Sequence, residues 1–239
     1  MEELETLVRT RVVEVRARMA DAALRSGRDP HHVALMAAVK TRSAEEIAAT
    51  VRAGVALLGE NRVQEGQTHV QGLEPHLRER CRIHFIGRLQ ANKVRKALES
   101  FDSIDSVDGA EIAKRISRIA EEVGIDRDVM IEVNLGEEPQ KGGVPASDAG
   151  ALARLVESLP GLRLTGLMGI PPLEASPEAN RPRFRELQKV FAAVRERCAN
   201  PDRFVHLSLG MSHDFEVAVE EGATLVRVGT ALYGDRRTL

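Results

Sequence analysis

The segment Val33-Ala34-Leu35-Met36-Ala37-Ala38-Val39 is apolar throughout and is followed directly by Lys40. Such a continuous apolar run is typical of a parallel strand that is covered on both faces. A lysine at the carboxyl end of a barrel strand would lie at the barrel mouth, where such folds keep their chemistry. Apolar walls there would disfavour the charged amine, which could then be neutral and nucleophilic. The alternative is an ordinary solvated lysine at a strand end, which is the commoner case.

The rest of the chain repeats a unit of one strand and one helix. Apolar residues at helical spacing predict an N-terminal helix over about residues 3–26, and Ser43-Ala44-Glu45-Glu46 has the pattern of a capping box. Further strands are predicted at 55–58, 83–86, 103–107, 129–135, 162–168, 204–207 and 225–228. Helices are predicted to begin near 62, 90 and 109, and to cover about 147–158, 177–198 and 213–221.

Strict alternation of strands and helices predicts an α/β fold, and eight strands are the number that closes a barrel. We therefore expect a single (β/α)8 TIM barrel with an additional N-terminal helix, as one domain over residues 1–239. An open doubly wound sheet is the alternative, but no GxGxxG turn follows the first strand. The irregular stretches 136–146 and 170–178 both follow strands and would wall the site.

The composition narrows the classes of partner. The chain has 43% hydrophobic and 29% charged residues, which is a globular balance. Aromatic residues are only 3%, so stacking platforms for single-stranded nucleic acid are not expected. The formal net charge of −2 gives no reason to expect a polyanionic partner. The locally basic run 92–96 is interpreted as a solvated helix face, with a phosphate or RNA contact as the alternative.

The cysteines, the histidines and the N-terminal segment point to a cytoplasmic protein without a metal. Cys81 and Cys198 are far apart and form no CxxC pair, so neither a disulfide framework nor a zinc ribbon is indicated. The histidines show no metal-ligand spacing. The acidic N-terminus lacks the features of a signal peptide, and no apolar run is long enough to span a membrane.

Two loops near the end of the chain have the composition of a phosphate site. Barrel enzymes often bind a phosphate between the loops after strands seven and eight, with backbone amides at the start of a short helix. Ser208 and Ser212 flank Gly210 after the seventh predicted strand. Gly229 and Thr230 follow the eighth, where Thr230 could cap the next helix. Ordinary turn and cap chemistry is the alternative interpretation.

A lysine amine and a phosphate site in one barrel mouth suggest an aldehyde that carries a phosphate, and pyridoxal 5′-phosphate fits that description. Arg227, on the last strand, could face the pyridine ring, although it could also be a salt-bridged strand-end residue. Asn61 could hydrogen-bond a ring substituent or cap the next helix. His84 alternates with apolar residues and is more simply a paired core residue than a base.

Several motifs resemble the pyridoxal phosphate homeostasis proteins, also called YggS- or PROSC-like proteins, over nearly the whole chain. They are Ala37-Ala38-Val39-Lys40-Thr41, Gly59-Glu60-Asn61-Arg62-Val63-Gln64-Glu65, the segment from His84 to Lys93, Gly166-Leu167-Met168, the segment from Leu207 to Ser212, and the segment from Val226 to Gly234. The chain departs from the family pattern at Val39, Arg62 and His213, where a hydroxyl residue, an aromatic residue and an acidic residue are frequent.

The resemblance implies a barrel like the N-terminal domain of alanine racemase, with pyridoxal phosphate as an internal aldimine on Lys40. It also implies that Ser212, Gly229 and Thr230 hold the phosphate and that Arg227 faces the pyridine nitrogen. Asn61, His84, Met168 and Ser208 are implied to lie near the cofactor. The resemblance also implies that the protein buffers the cofactor or delivers it to pyridoxal phosphate-dependent apo-enzymes.

Three hypotheses follow for activity. The first is a carrier without a robust reaction of its own, which is expected to be monomeric. The chain ends at Leu239, soon after the eighth predicted strand. Its only tyrosine, Tyr233, has no obvious route to the opposite face of the pyridine ring, where a racemase needs a second base. The second is an amino-acid racemase of low activity that uses Lys40 and an unnamed base. The third is a Schiff-base aldolase without a cofactor, which would be colourless.

Overall fold

The eight predicted strands close into a parallel barrel. A computed structural model describes residues 2–136, 142–172 and 174–234. Over these ranges the strands run in the order β1 to β8, and β1 pairs with both β2 and β8. The predicted TIM barrel is therefore confirmed. The strands are β1 Ala34–Ala38, β2 Leu57–Glu60, β3 Arg82–Phe85, β4 Ser103–Val107, β5 Arg127–Asn134, β6 Leu162–Ile170, β7 His206–Ser208 and β8 Leu225–Val228.

Helices connect the strands and surround the barrel. They are α1 Glu2–Arg25, α2 Ala44–Arg52, α3 Val63–Gly72, α4 Pro75–Arg78, α5 Val94–Ser100, α6 Ala110–Val123, α7 Ala149–Ser158, α8 Arg181–Arg195, α9 Phe215–Glu220 and α10 Thr230–Tyr233. The N-terminal helix α1 packs against α2, α9 and α10, and so covers the side of the barrel where β8 meets β1. Helix α4, a single turn with proline at its start, was not predicted from the sequence.

The capping box at the start of α2 is confirmed. The Ser43 hydroxyl accepts from the Glu46 backbone N–H at 3.3 Å, and the Glu46 carboxylate accepts from the Ser43 N–H at 2.8 Å. These two bonds satisfy backbone donors that the helix itself leaves unpaired. They also fix the chain only a few residues after Lys40, at the point where β1 turns into α2.

Two predicted strands are displaced along the chain. The strand predicted at 55–58 is β2 at 57–60, and the strand predicted at 204–207 is β7 at 206–208. The ends of both strands carry Gly59, Glu60 and Ser208, so apolarity does not mark them. Ile170, predicted to begin an irregular stretch, ends β6 instead. Of the irregular stretch predicted at 136–146, residues 137–141 lie outside the described residues, as does Leu173 in the second stretch.

Alternation along the strands sorts side chains between two cores. The larger core lies between the strands and the helices and includes Leu35, Ala37 and Val39 of the first strand segment. A smaller cluster fills the barrel interior and contains Met36, Ile86, Met130, Met168 and Leu225. Alternate residues of a strand point to opposite faces, so the inward set of β1 is Ala34, Met36 and Ala38, and its next member is Lys40.

The described residues contain neither a membrane-spanning helix nor a metal cluster. In the ranges that the structure covers, no helix is both long and apolar enough to cross a bilayer. Over the same ranges, no group of three or more His, Cys, Asp or Glu side chains could hold a metal ion. Cys81 is buried and Cys198 half-buried, and both are free thiols.

Candidate functional site

Lys40 lies at the carboxyl-terminal mouth of the barrel, two residues after the end of β1. The Val39 N–H still donates to the Gly59 carbonyl at 3.0 Å, so pairing between the first two strand segments continues up to the residue before Lys40. Lys40 is exposed. The expectation that apolar walls enclose this lysine is therefore wrong.

The loops after β7 and β8 meet through Ser212. Its hydroxyl oxygen accepts from the Gly229 N–H at 3.0 Å and from the Ala231 N–H at 3.2 Å. These amides belong to the first turn of α10, so the predicted pairing of the two loops is present in the geometry. Such N–H groups at a helix start are the donors that bind phosphate oxygens in barrel enzymes.

The phosphate-type loop lies beside the strand that carries Lys40. The register of β1 and β8 places Met36 opposite Arg227 and Ala37 opposite Val228. A Cβ built on Gly229 would lie 3.6 Å from the Cβ and the carbonyl oxygen of Ala38. The inward face of β1 and the start of α10 are therefore neighbours at the barrel mouth.

The prediction that Thr230 caps the helix after β8 is wrong. The N-cap position of α10 is Gly229, and Thr230 is the first helical residue. Thr230 is exposed at the mouth of the barrel. His213, where the family pattern favours an acidic residue, is exposed, and the following Asp214 accepts from the Met211 N–H at 2.7 Å.

Arg227 is buried inside the barrel and is held by three hydrogen bonds. It donates to the carbonyl oxygen and the hydroxyl of Ser208 at 2.9 and 2.6 Å, and to the carbonyl oxygen of Gly169 at 2.9 Å. Burial lowers the pKa of the guanidinium, while the nearby carboxylates of Asp105 and Glu132 oppose the shift. The alternative of a salt-bridged strand-end arginine is excluded by this inward, hydrogen-bonded position.

His84 belongs to a buried polar cluster with Asp105 and Ser103. Its Nδ1 lies 2.8 Å from the Asp105 carboxylate, whose other oxygen accepts from the Ser103 hydroxyl at 2.5 Å. The His84 ring is therefore paired, as the simpler interpretation held. Its Nε2, however, is buried without a hydrogen-bond partner among the described residues. A buried ring nitrogen without a partner is uncommon and suits a group that meets a ligand.

Asn61 follows β2 and is half-buried at the mouth. Helix α3 begins after Arg62, so the interpretation of Asn61 as a helix cap is wrong. Asn61 lines a cavity of about 180 Å³ together with Arg62, Arg88 and Lys93. Gly87 lies close against its backbone, because a Cβ at position 87 would come within 2.2 Å of the Asn61 carbonyl oxygen. Arg62 is largely exposed and donates to Glu65 at 2.8 Å.

Glu132 is a site residue that sequence reasoning missed. It lies on the inward face of β5, is buried, and is paired in register with Met168, which in turn faces Ser208. Burial and the neighbouring Asp108 raise its pKa to about 7, although Arg227 and Arg88 oppose the shift. The signal was present as an acidic residue within an otherwise apolar strand, Val129-Met130-Ile131-Glu132-Val133.

Tyr233 makes its contacts outside the barrel interior. Its hydroxyl lies 2.8 Å from the Thr50 hydroxyl of α2, and the Arg42 guanidinium stacks over its ring with 4.9 Å to the centroid. Burial raises the pKa of the phenol, so it stays protonated at neutral pH. These contacts hold the Tyr233 side chain against α2.

The comparisons with known proteins agree with the geometry. A family model described as "Alanine racemase, N-terminal domain" matches residues 16–237. The fold and this match together define an alanine-racemase-type barrel. A pyridoxal phosphate homeostasis protein from Aquifex aeolicus is 41% identical over 229 residues, which are 95% of this chain and 97% of that protein. The chain belongs to the pyridoxal phosphate homeostasis protein family.

Solved structures show the same barrel. The crystal structure of an unknown protein from Bifidobacterium adolescentis superposes with a TM-score of 0.92 at 36% identity, and covers 97% of this chain and 96% of its own. The structure of PipY from Synechococcus elongatus with pyridoxal phosphate bound superposes with a TM-score of 0.79 at 33% identity. That match covers 95% of this chain and 100% of PipY.

Proposed function

We propose that this chain binds pyridoxal 5′-phosphate on Lys40 and buffers or delivers the cofactor to apo-enzymes in the cytoplasm. The observation that carries the proposal is the adjacency of the Lys40 strand and the Ser212 to Ala231 amide site. The Lys40 amine would react with the aldehyde group of such a ligand, and the N-terminus of α10 would bind its phosphate. The family membership and the pyridoxal phosphate in PipY support the same assignment.

The residues present fit the cofactor. The backbone N–H groups of Gly229 and Ala231, with the Ser212 hydroxyl, would hold the phosphate. The exposed Lys40 amine, once deprotonated, would add to the aldehyde carbon and form a C=N bond with loss of water, giving the internal aldimine. Asn61, His84, Met168 and Ser208 would line the ring, and His84 brings a buried ring nitrogen that has no partner among the described residues.

Arg227 argues for a carrier rather than an efficient enzyme. When bound, pyridoxal phosphate supplies an electron sink whose strength depends on protonation of its pyridine nitrogen. An arginine at that nitrogen cannot act as the anionic partner that would favour its protonation. Arg227 is fixed by its hydrogen bonds to Ser208 and Gly169, and moving it aside would break all three of them. Tyr233, held against Thr50, does not supply a second base.

Borohydride reduction followed by mass spectrometry tests the proposal. We expect a pyridoxyl phosphate adduct on Lys40 and a yellow protein before reduction. Lys40→Ala should abolish both the adduct and the colour, whereas Lys93→Ala, a lysine that lines the neighbouring cavity, should keep both. A colourless wild-type protein without an adduct would contradict the proposal and favour a cofactor-free Schiff-base enzyme.

Catalysis and assembly are tested separately. If the chain is a carrier, amino acids should not lose α-deuterium at enzyme-like turnover in the presence of the loaded protein. Sustained deuterium loss that depends on Lys40 would favour the low-activity racemase. Transfer of cofactor to an added apo-enzyme faster than spontaneous release would support direct delivery. Size-exclusion chromatography with light scattering tests the proposed monomer.

A further inference from the structure

The turn that carries Lys40 has a strained backbone. The Arg42 N–H donates to the Val39 carbonyl at 3.1 Å and closes a turn over residues 39–42, here called the Lys40 turn. Thr41, directly after Lys40, has a φ of 62°. A β-branched residue rarely adopts this left-handed conformation, and it persists only where neighbouring groups hold the chain in place.

Helix α3 supplies the first of these holding groups. The Glu65 carboxylate accepts from the Thr41 N–H at 3.4 Å through Oε2. Its other oxygen, Oε1, accepts from Arg62 at 2.8 Å, which keeps the carboxylate oriented toward the start of its own helix. The strained residue of the Lys40 turn is thus tied to the first turn of α3.

His69, one turn further along α3, supplies the second. Its Nδ1 lies 2.5 Å from Oε1 of Glu60, whose carboxyl group is fully buried at the end of β2. The backbone of Arg42, the last residue of the Lys40 turn, lies near the same ring and adds a small upward shift to its pKa. His69 therefore fixes α3 to β2, and α3 in turn holds the Lys40 turn through Glu65.

This short, buried contact favours an extra proton shared by the two groups. A neutral imidazole can donate one N–H to the carboxylate, but a doubly protonated ring makes a stronger, charge-assisted bond. The extra proton lies either on His69 or on Glu60, which then donates to Nδ1. Both pKa directions agree: the hydrogen bond with Glu60 raises the pKa of His69, and burial raises the pKa of Glu60.

We propose that His69 is a positioning residue for Lys40, and that the Glu60–His69 pair, while it retains its proton, holds the strained turn that sets the place of the amine. The other charged groups that face the pair and the turn are Glu65, Arg62 and Arg42, and Arg42 also pairs with Glu46 at 3.5 Å. The identity of the ligand on Lys40 rests on the proposed function, but the control of the turn does not.

The pH dependence follows in sign. Because the His69 pKa is raised in the folded protein, the pair is intact below the ordinary histidine pKa of 6.5 and is lost as pH rises through the raised value. Above that value the neutral ring keeps one N–H, which stays on Nδ1 and still donates to the buried Glu60 carboxylate, but the bond is no longer charge-assisted and holds α3 to β2 less firmly. The Lys40 turn should then loosen.

Competitive labelling of the protein without cofactor tests this directly. Acetic anhydride labelling of Lys40 is measured by mass spectrometry over a range of pH and normalised to Lys189 on α8 in the same sample. In the wild type we expect an inflection at the titration of the Glu60–His69 pair. His69→Leu and His69→Gln should both remove it, while His76→Leu, an exposed histidine on α4, should keep it.

A second readout uses the loaded protein. His69→Leu should release pyridoxal phosphate to a trapping amine roughly three- to tenfold faster than wild type at neutral pH, the factor that one net hydrogen bond represents. His69→Gln, which retains N–H donors but does not titrate, should release it at a rate closer to wild type and without the pH dependence. Circular dichroism establishes that each variant is folded, and the Gln variant remains informative where Leu is not tolerated.

The outcomes separate the two proposals. An inflection in Lys40 labelling that persists in both His69 variants, or a wild type without one, would overturn the role of His69. The absence of a pyridoxyl adduct on wild-type Lys40 would overturn the proposed function instead, and would leave the labelling result to be judged by itself.

Discussion

Arg227 donates two hydrogen bonds to Ser208, one to its carbonyl oxygen at 2.9 Å and one to its hydroxyl at 2.6 Å. Through this pair the last strand is fixed to the seventh inside the barrel. A third bond, to the Gly169 carbonyl, extends the link to β6. One guanidinium thus joins three consecutive strands inside the barrel.

Shortening either partner should therefore cost stability in proportion to the bonds removed. Arg227→Leu should lower the free energy of unfolding by about 3 kcal/mol or more, because buried acceptors lose a charged donor. Ser208→Ala removes one of the three bonds and should cost about 1 kcal/mol. Urea unfolding measures both. Equal losses in the two variants would contradict the assignment of Arg227 as the shared donor.

The Ser212 site predicts a selective loss of phosphate recognition. Ser212→Ala removes the hydroxyl that contacts the Gly229 and Ala231 amides, so affinity for pyridoxal 5′-phosphate should fall about tenfold, or ~1.4 kcal/mol. Affinity for unphosphorylated pyridoxal should hardly change. Fluorescence titration with the two aldehydes gives both values, and Ser147→Ala, an exposed serine outside the site, is the matched control. A parallel loss for both aldehydes would place Ser212 away from the phosphate.

Glu132 predicts a stability that declines toward neutral pH. Its pKa is raised from 4.5 to about 7, so the folded state binds a proton that the unfolded chain has released over this interval. Stability from this group is complete below the unfolded value and is lost as pH rises through the folded one, by about 3 kcal/mol at most. Glu132→Gln should flatten the profile and raise stability at neutral pH. Glu111→Gln, a highly exposed residue on α6, should leave the profile unchanged.

Tyr233 predicts a structural effect without a chemical one. Tyr233→Phe removes the hydrogen bond to Thr50 and should destabilise the protein by about 1 kcal/mol. The adduct on Lys40 and any residual deuterium exchange should persist. If Tyr233→Phe abolished deuterium exchange while Lys40 still carried the cofactor, the tyrosine would be a catalytic base and the racemase hypothesis would gain ground.

Substitution of Gly87 tests the packing around Asn61, with Gly109 as the control position. Gly87→Ala would place a methyl group 2.2 Å from the Asn61 carbonyl oxygen, and the forced backbone shift should cost about 1–3 kcal/mol and weaken cofactor binding. A Cβ at Gly109 would meet nothing within 4 Å, and its backbone is extended. Gly109→Ala should therefore be neutral. Thermal unfolding and cofactor titration of both variants decide the matter.

Much of the barrel could be predicted from the sequence because its strands are marked by apolar runs. Val33 to Val39 and Ser103 to Val107 fall within about a residue of their observed strands. The ends of β2 and β7 could not be placed this way, since Glu60 and Ser208 are polar residues whose hydrogen-bond partners, His69 and Arg227, lie in other elements of the fold. An apolar run fails to mark a strand end where the buried residue is polar and is hydrogen-bonded to a partner.

The proposed site was predictable in part. Serine and glycine in two turns suggested the loops that Ser212 joins, and Arg227 lies inward as its strand position indicated. The exposure of Lys40 was not predictable, because it depends on where the turn lifts the chain from the strand. Glu132 and His69 were missed since their significance lies in neighbours from other strands and helices: Asp108 and Arg227 for one, Glu60 and Arg42 for the other.

The pairing of β1 with β8 has a consequence for biosynthesis. Lys40 emerges from the ribosome well before Ser212 and Gly229, yet all three lie at the seam where β1 joins β8. A nascent or C-terminally truncated chain therefore exposes a lysine without its anion-binding counterpart. Capture of the aldehyde at full strength would then report that the eighth strand has joined the first and that the barrel has closed.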